Sequence, residues 1–327
     1  MKRATILAML LGAVLFVVLL WHYGADEIAA ATAAAGWGLL YVSAFRFVTI
    51  ATDTLGWRVL FSAPNCPRLG RLFLFRWVGE AVNSLLPVAQ VGGDVARARL
   101  AARAGVPGPE AGATVGVDFT LGLVTQFLYT VLGAALFMSA GRSGSEMRGL
   151  WIGLLIAAGV LILFYLAQHF GLFRRLAGTL RLVSDERRWG SLAGHAAGLD
   201  LAVSTLYGRR GRVAVCGFWR LATWVLHTGE TWLALYALGY RVSWTDAFIL
   251  ECLGTAVRSA AFAIPGGLGV QEGGFVLIGM RLGLSPEVSL ALALVKRVRE
   301  LLVGGPGLMV WTTLEGRGFA RFFSRRP

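Results

Sequence analysis

Leu150-Trp-Ile-Gly-Leu-Leu-Ile-Ala-Ala-Gly-Val-Leu-Ile-Leu-Phe-Tyr-Leu-Ala167 carries no charged side chain and no proline. About 20 such residues cross the hydrocarbon of a bilayer as one helix. Similar stretches recur: Ala4 to Trp21, Trp37 to Phe61, Ala111 to Met138, Val213 to Leu238, Trp244 to Ile264 and Leu284 to Leu314. Two shorter ones, Leu72 to Gly93 and Pro265 to Gly283, are broken by glycine and proline. No alternating strand pattern competes, and a spanning sheet would have to close into a barrel. The expected fold is all-α, a polytopic transmembrane helix bundle of about seven or eight spans. One or two of its segments are broken or re-entrant, and an internal pseudo-symmetry is open. Residues 1–327 read as a single integral membrane domain.

Composition points the same way. Of 327 residues, 56% are hydrophobic and 15% charged, against about 25% charged in soluble domains. The net charge of +13 comes almost wholly from arginine, since only Lys2 and Lys296 are lysines. The arginines lie between apolar runs, as in loops held against anionic headgroups. No basic patch stands on a polar domain, so nucleic acid is not an expected partner. Cys66, Cys216 and Cys252 form no CxxC pair, and the four histidines show no metal-ligand spacing. No disulfide framework, metal site or cofactor is therefore expected. Lys2-Arg3 and the apolar run behind them resemble a signal peptide, but no small-residue cleavage pattern follows. An uncleaved first span is expected.

The charges orient the spans by the positive-inside rule. Lys2 and Arg3 place the N-terminus in the cytoplasm, and Asp26 and Glu27 then lie outside. Arg68, Arg71 and Arg76 read as inside, and so do Arg97, Arg99 and Arg103. The segment between them enters and leaves on one face, a re-entrant motif within 72–105. Gly171 to Arg212 carries eight arginines against three acids and reads as a basic cytoplasmic loop. Within it Phe173, Leu176, Leu180 and Val183 fall at helical spacing, as an amphipathic helix on the inner leaflet or a solvated connector. Arg317, Arg321, Arg325 and Arg326 put the C-terminus inside too, which requires Pro265 to Gly283 to cross as a broken span. The expected location is a bacterial inner (plasma) membrane, multi-pass.

Two motifs echo each other. The first is Glu80-Ala-Val-Asn83-Ser-Leu-Leu-Pro87-Val-Ala-Gln90-Val-Gly-Gly-Asp94. The second, within 251–300, is Pro265-Gly-Gly267-Leu-Gly-Val-Gln271-Glu272-Gly-Gly274. In each, a carboxylate follows a proline by seven residues, with glutamine and glycines between. Proline and glycine break helices. A break in lipid is tolerated only where protein or a polar cavity satisfies the freed backbone. Interrupted segments at corresponding places in two halves point to a central polar site.

Charged residues inside the apolar stretches strengthen that reading, because such groups face a bundle interior or cavity. Arg46 and Asp53 are seven apart, as are Glu251 and Arg258, and Arg220 and His227, with Glu230 one turn on. Seven-residue spacing keeps a pair on one helix face. Lys296 and Glu300 can pair at i, i+4. That leaves Arg297 and Arg299 for a lipid phosphate or for the motif carboxylates Asp94 and Glu272. The candidate cavity and headgroup residues are Glu80, Asn83, Pro87, Gln90, Asp94, Arg97, Glu251 and Arg258, followed by Pro265, Gly267, Gln271, Glu272, Lys296, Arg297, Arg299 and Glu300.

These motifs resemble a known family. Asn83-Ser-Leu-Leu-Pro87 with Gly93-Asp94, and Pro265-Gly-Gly-Leu-Gly-Val-Gln-Glu272, look like two stretches of the flippase-like transmembrane region of lysylphosphatidylglycerol synthases. Val82 to Asp94 and Leu294-Val-Lys-Arg-Val-Arg-Glu300 look closest to the hopanoid-biosynthesis-associated HpnL-type membrane proteins. The resemblance runs from about Gly36 to about Trp311. It implies a protein that moves a membrane lipid, anionic or hopanoid, between leaflets. The full synthases add an aminoacyl-transferase domain after the membrane region. Here a short basic tail ends at Pro327, so aminoacylation is not expected. No catalytic motif stands out, and an enzyme is not the leading expectation. A lipid-modifying membrane enzyme, and a scaffold for other lipid-synthesis proteins, remain as rival readings.

Overall fold

The computed structural model describes residues 35–62, 65–86, 91–140, 147–169, 186–261, 264 and 269–323. The described residues form ten helices and no strand. They are α1 (Gly38–Val59), α2 (Leu69–Leu85), α3 (Gly92–Arg103), α4 (Gly108–Ser139) and α5 (Met147–His169). After these come α6 (Glu186–Gly208), α7 (Arg210–Ala237), α8 (Trp244–Ala260), α9 (Val270–Arg281) and α10 (Pro286–Phe323). The expected all-α bundle is what forms.

Element lengths repeat along the chain. A helix of 17 residues (α2, α8), a break, and a helix of 12 residues (α3, α9) occur twice. Each pair is preceded by a long helix (α1, α7) and followed by another (α4, α10). The motif carboxylates occupy equivalent places, Asp94 and Glu272 each lying in the first turn after a break. The prolines of both breaks, Pro87 and Pro265, lie outside the described residues, as do Gln90, Gly267 and the proposed amphipathic segment 173–183.

Two helices, Gly108–Ser139 and Trp151–Gln168 within α5, are long and apolar enough to cross a membrane by composition alone. Most of the other segments expected to span carry several charged residues, which lower their mean hydropathy. The ion pairs described below neutralise those charges, and paired charge is the form in which a membrane tolerates it.

The chain divides into two compact units. The first takes residues from 1–51, 73–96 and 225–327. Its core is built by Val42 of α1, Leu235 of α7, Leu250 of α8, Phe275 of α9, and Leu292 and Val295 of α10. Small residues let these helices approach: a Cβ on Gly254 would strike the Phe275 ring, and one on Gly274 would press Val257. Ser243 caps α8, its hydroxyl accepting from the Asp246 N–H at 3.0 Å. Gly269 opens α9 at φ +76°, a left-handed conformation that side chains other than glycine resist. Pro306 lies inside α10, where it supplies no backbone N–H. Near that turn Trp77 of α2 donates its indole N–H to the Val303 carbonyl at 2.8 Å. At one end of this unit Trp37, Tyr41, Trp232, Tyr236, Tyr240 and Trp244 are exposed. That is the girdle expected where a bundle meets the membrane–water interface.

The second unit takes residues 52–72 and 97–224. Here α4 packs on α6, with Gly112 against Leu199, and Gln168 of α5 accepts from Thr120 and Tyr207. The stretch read as a basic loop, 171–212, thus contains α6 instead. Leu199, Val203 and Leu206 give it an apolar stripe, which the surrounding glycines, alanines and arginines dilute in the sequence. On α5, Leu155 is 72% exposed and Leu163 68%. A helix with so little protein cover over its apolar face is solvated by lipid.

Candidate polar site in the bundle

In the first unit, six helices send charged side chains to one buried network. The helix geometry places it at depth. The α1 start and α7 end meet where Gly38 lies against Ala237, and Leu238, Val242, Leu282 and Leu284 share the same core. From that end, Arg46, Glu230, Glu251, Glu272 and Lys296 lie seven to ten residues along their helices. At 1.5 Å per residue this is about 10–15 Å, roughly half of a ~30 Å hydrocarbon core.

The turn 296–300 of α10 is the hub, since its side chains point to different neighbours. Lys296 Nζ donates to Glu251 on α8, which also accepts from Thr231 and, at 3.2 Å, from Thr255. Arg297 donates through Nε to Glu272 on α9 at 2.8 Å and through Nη1 to Glu300 at 3.0 Å. Arg258 on α8 donates to the other oxygen of Glu300. Arg299 Nη2 stands 3.0 Å from Glu230 on α7. Arg46 on α1 stands 3.6 Å from Glu230, pairs with Glu80 on α2 at 3.0 Å, and donates to His227 Nδ1 at 2.9 Å.

Two expectations change. Lys296 does not pair with Glu300 across one helical turn; each turns to α8 instead. Glu251 is buried, and a buried carboxylate needs a cation, which Lys296 supplies. Nor are Arg297 and Arg299 left without acids, since Glu272, Glu300 and Glu230 take them. Among the described residues of this network, five carboxylates (Glu80, Glu230, Glu251, Glu272, Glu300) face five basic groups (Arg46, Arg258, Lys296, Arg297, Arg299). Its formal charge is zero with histidine neutral. Hydrogen bonding is less complete than charge balance. Glu272 Oε2, both carboxylate oxygens of Glu230, Arg297 Nη2 and Arg299 Nε are buried with no hydrogen-bond partner.

The remaining candidates are placed as follows. Asn83 accepts the Gly93 N–H at 2.7 Å, closing the α2–break–α3 hairpin where Gly93 abuts the Gly79 carbonyl too closely for any Cβ. Asp94 follows in α3. Gln271 is buried beside Glu272. Arg97 belongs to the second unit, where Asp118 accepts its Nη1 at 2.5 Å under the Trp57 ring. There Arg220 Nη1 lies 3.0 Å from both oxygens of Asp53, and its Nη2 lies 3.0 Å from Asp118 Oδ2. Arg46, His227 and Glu230 were legible as charges in apolar stretches but not as members of one site. The signal was Glu230 itself, an acid inside an apolar stretch with His227 one turn before it. The shared face proposed for Arg220 and His227 does not make them partners, for they serve different units.

Residues 5–306 match the family described as the Lysylphosphatidylglycerol synthase TM region. The chain belongs to this family. Its transmembrane character and lipid-related setting follow from that membership. A curated relative, a UPF0104 membrane protein of Methanothermobacter thermautotrophicus, is 26% identical over 284 residues, covering 80% of each chain. No solved structure matches.

Proposed function

We propose that the protein is a lipid transporter of the flippase type, and that the buried network of the first unit is where a headgroup passes. The observation that carries the reading is that network: ionic, about 10–15 Å from the helix ends, and holding buried donors and acceptors without hydrogen-bond partners. A structural salt-bridge lattice in lipid has reason to saturate such atoms, because each costs about 1–3 kcal/mol unsatisfied. A phosphate-bearing headgroup would meet Arg297 Nη2 and Arg299 Nε, while its tails remain beside apolar helix faces. This is transport rather than catalysis, and no cofactor enters.

The finer setting rests on the sequence. The wording of Val82 to Asp94 and of Leu294 to Glu300 supports an HpnL-type protein, working with hopanoid or related lipid synthesis and its enzymes. Arginine placement supports a bacterial inner membrane with both termini cytoplasmic. The aromatic end of the first unit would then be extracytoplasmic.

The test is reconstitution in liposomes carrying fluorescent phospholipid in one leaflet. The expected result is protein-dependent exchange between leaflets with the lipid's mass unchanged. Exchange no faster than in protein-free liposomes contradicts the reading, and a changed lipid mass points to an enzyme.

A further inference from the structure

We propose that Glu272 is the site of a coupling proton, so that an anionic headgroup enters the network only together with a proton on this carboxylate. The inference rests on the transporter reading and adds what drives it.

Among the described residues, and with His227 uncharged, the network is neutral, five carboxylates against five basic groups. An arriving phosphate monoanion would leave it one negative charge in excess at mid-membrane depth, where net charge is expensive. The excess is removed if one carboxylate takes a proton. Glu272 is placed to do so. Its side chain is 1% exposed, one oxygen accepts from Arg297 Nε, and the other has no partner. Arg297, its one ion-pair partner, also holds an unpartnered Nη2. An anion that draws Arg297 away leaves Glu272 buried without a counter-charge, a cost that a proton bound together with the anion would remove.

Of the other carboxylates, Glu80 is more exposed, at 23%, and Glu230, although neither of its oxygens makes a hydrogen bond, faces Arg299, Arg46 and His227. Glu251 has Lys296, Thr231 and Thr255, and Glu300 has both Arg258 and Arg297. The charged network groups on the two helices that pack against α9 are Lys296, Arg297, Arg299 and Glu300 of α10, and Glu251 and Arg258 of α8. Beyond them, through the same pairs, come Glu230 and His227 of α7, Arg46 of α1 and Glu80 of α2. In the step itself no covalent bond to the lipid changes. A proton from water adds to the Glu272 carboxylate as the anion binds, and both leave on the other side.

The experiment uses the full chain in phosphatidylcholine vesicles containing fluorescent phosphatidylglycerol, under an imposed pH difference or an imposed potassium diffusion potential. One proton per lipid predicts that one pH unit enriches the label about tenfold in the leaflet facing the alkaline side. A membrane potential leaves the distribution unchanged, because lipid and proton together carry no charge. Glu272→Gln fixes the residue neutral, and its label then follows the potential and ignores the pH difference. A wild-type distribution that follows potential and not pH overturns the proposal, and so does a tenfold pH response retained by Glu272→Gln. These outcomes leave transport intact. No exchange under any gradient removes the transporter reading itself.

Discussion

The tetrad of the second unit and the network of the first both neutralise buried charge, but they close differently. Around Asp53, Asp118, Arg97 and Arg220, every carboxylate oxygen meets a donor: Arg220 for Asp53, Arg97 and Arg220 for Asp118 Oδ2, and the Cys216 thiol at 3.9 Å for Asp118 Oδ1. In the first unit the charges balance while three acceptors, Glu272 Oε2 and both oxygens of Glu230, make no hydrogen bond, nor do the donors Arg297 Nη2 and Arg299 Nε. In the tetrad the atom without a hydrogen bond is a donor, Arg220 Nε. Acceptors that are all taken hold helices together and offer a ligand little. A balanced but incompletely bonded network can exchange partners at modest cost. The first region is therefore read as working and the second as holding.

The largest expected effect tests the holding role. Asp118→Ala leaves Arg97 and Arg220, both buried or nearly so, with one carboxylate fewer. The cost is about 3–5 kcal/mol, enough to remove most folded protein, measured as monodisperse yield in detergent. A normal yield would erase the contrast between the regions.

Next comes Glu251→Leu, which strands Lys296 and costs about 3 kcal/mol in thermal unfolding. Adding Lys296→Met should restore most of that loss, because an apolar pair replaces a buried ion pair nearly neutrally. Failure of the double variant to recover would mean that the pair does more than balance charge.

Gly269→Ala forces a side chain into φ +76° at the α9 start and costs about 1–2 kcal/mol. It sharpens the comparison by moving Glu272 without altering its charge. The smallest effect belongs to Trp77→Phe, which removes one hydrogen bond to the Val303 carbonyl and costs about 1 kcal/mol in the same unfolding measurement.

Much of this was legible in the sequence. The all-helical fold followed from apolar runs such as Leu150 to Ala167, and the breaks from Pro87 and Pro265. Charged residues within the spans marked the polar interior, because lipid leaves them few other places. Partner choice was not legible. Lys296 and Glu300 are neighbours on one helix, yet Lys296 pairs with α8, and Glu300 with α8 and with Arg297, since pairing depends on which helices pack as well as on spacing along one of them. Helix α6 was hidden because its stripe of Leu199, Val203 and Leu206 is narrow and set in a basic, glycine-rich stretch. The two-unit division was hidden for a similar reason. Arg46 and Asp53 lie on the same helix, and so do Arg220 and His227, but in each pair one residue serves each unit.

The most direct test of the working region is leaflet exchange of fluorescent phosphatidylglycerol by reconstituted Arg297→Gln, normalised to folded protein and compared with Trp77→Phe. The account predicts that Arg297→Gln loses about tenfold or more in exchange rate, one power of ten for each ~1.4 kcal/mol of lost headgroup interaction, while Trp77→Phe keeps the wild-type rate. Equal rates for both variants would contradict it.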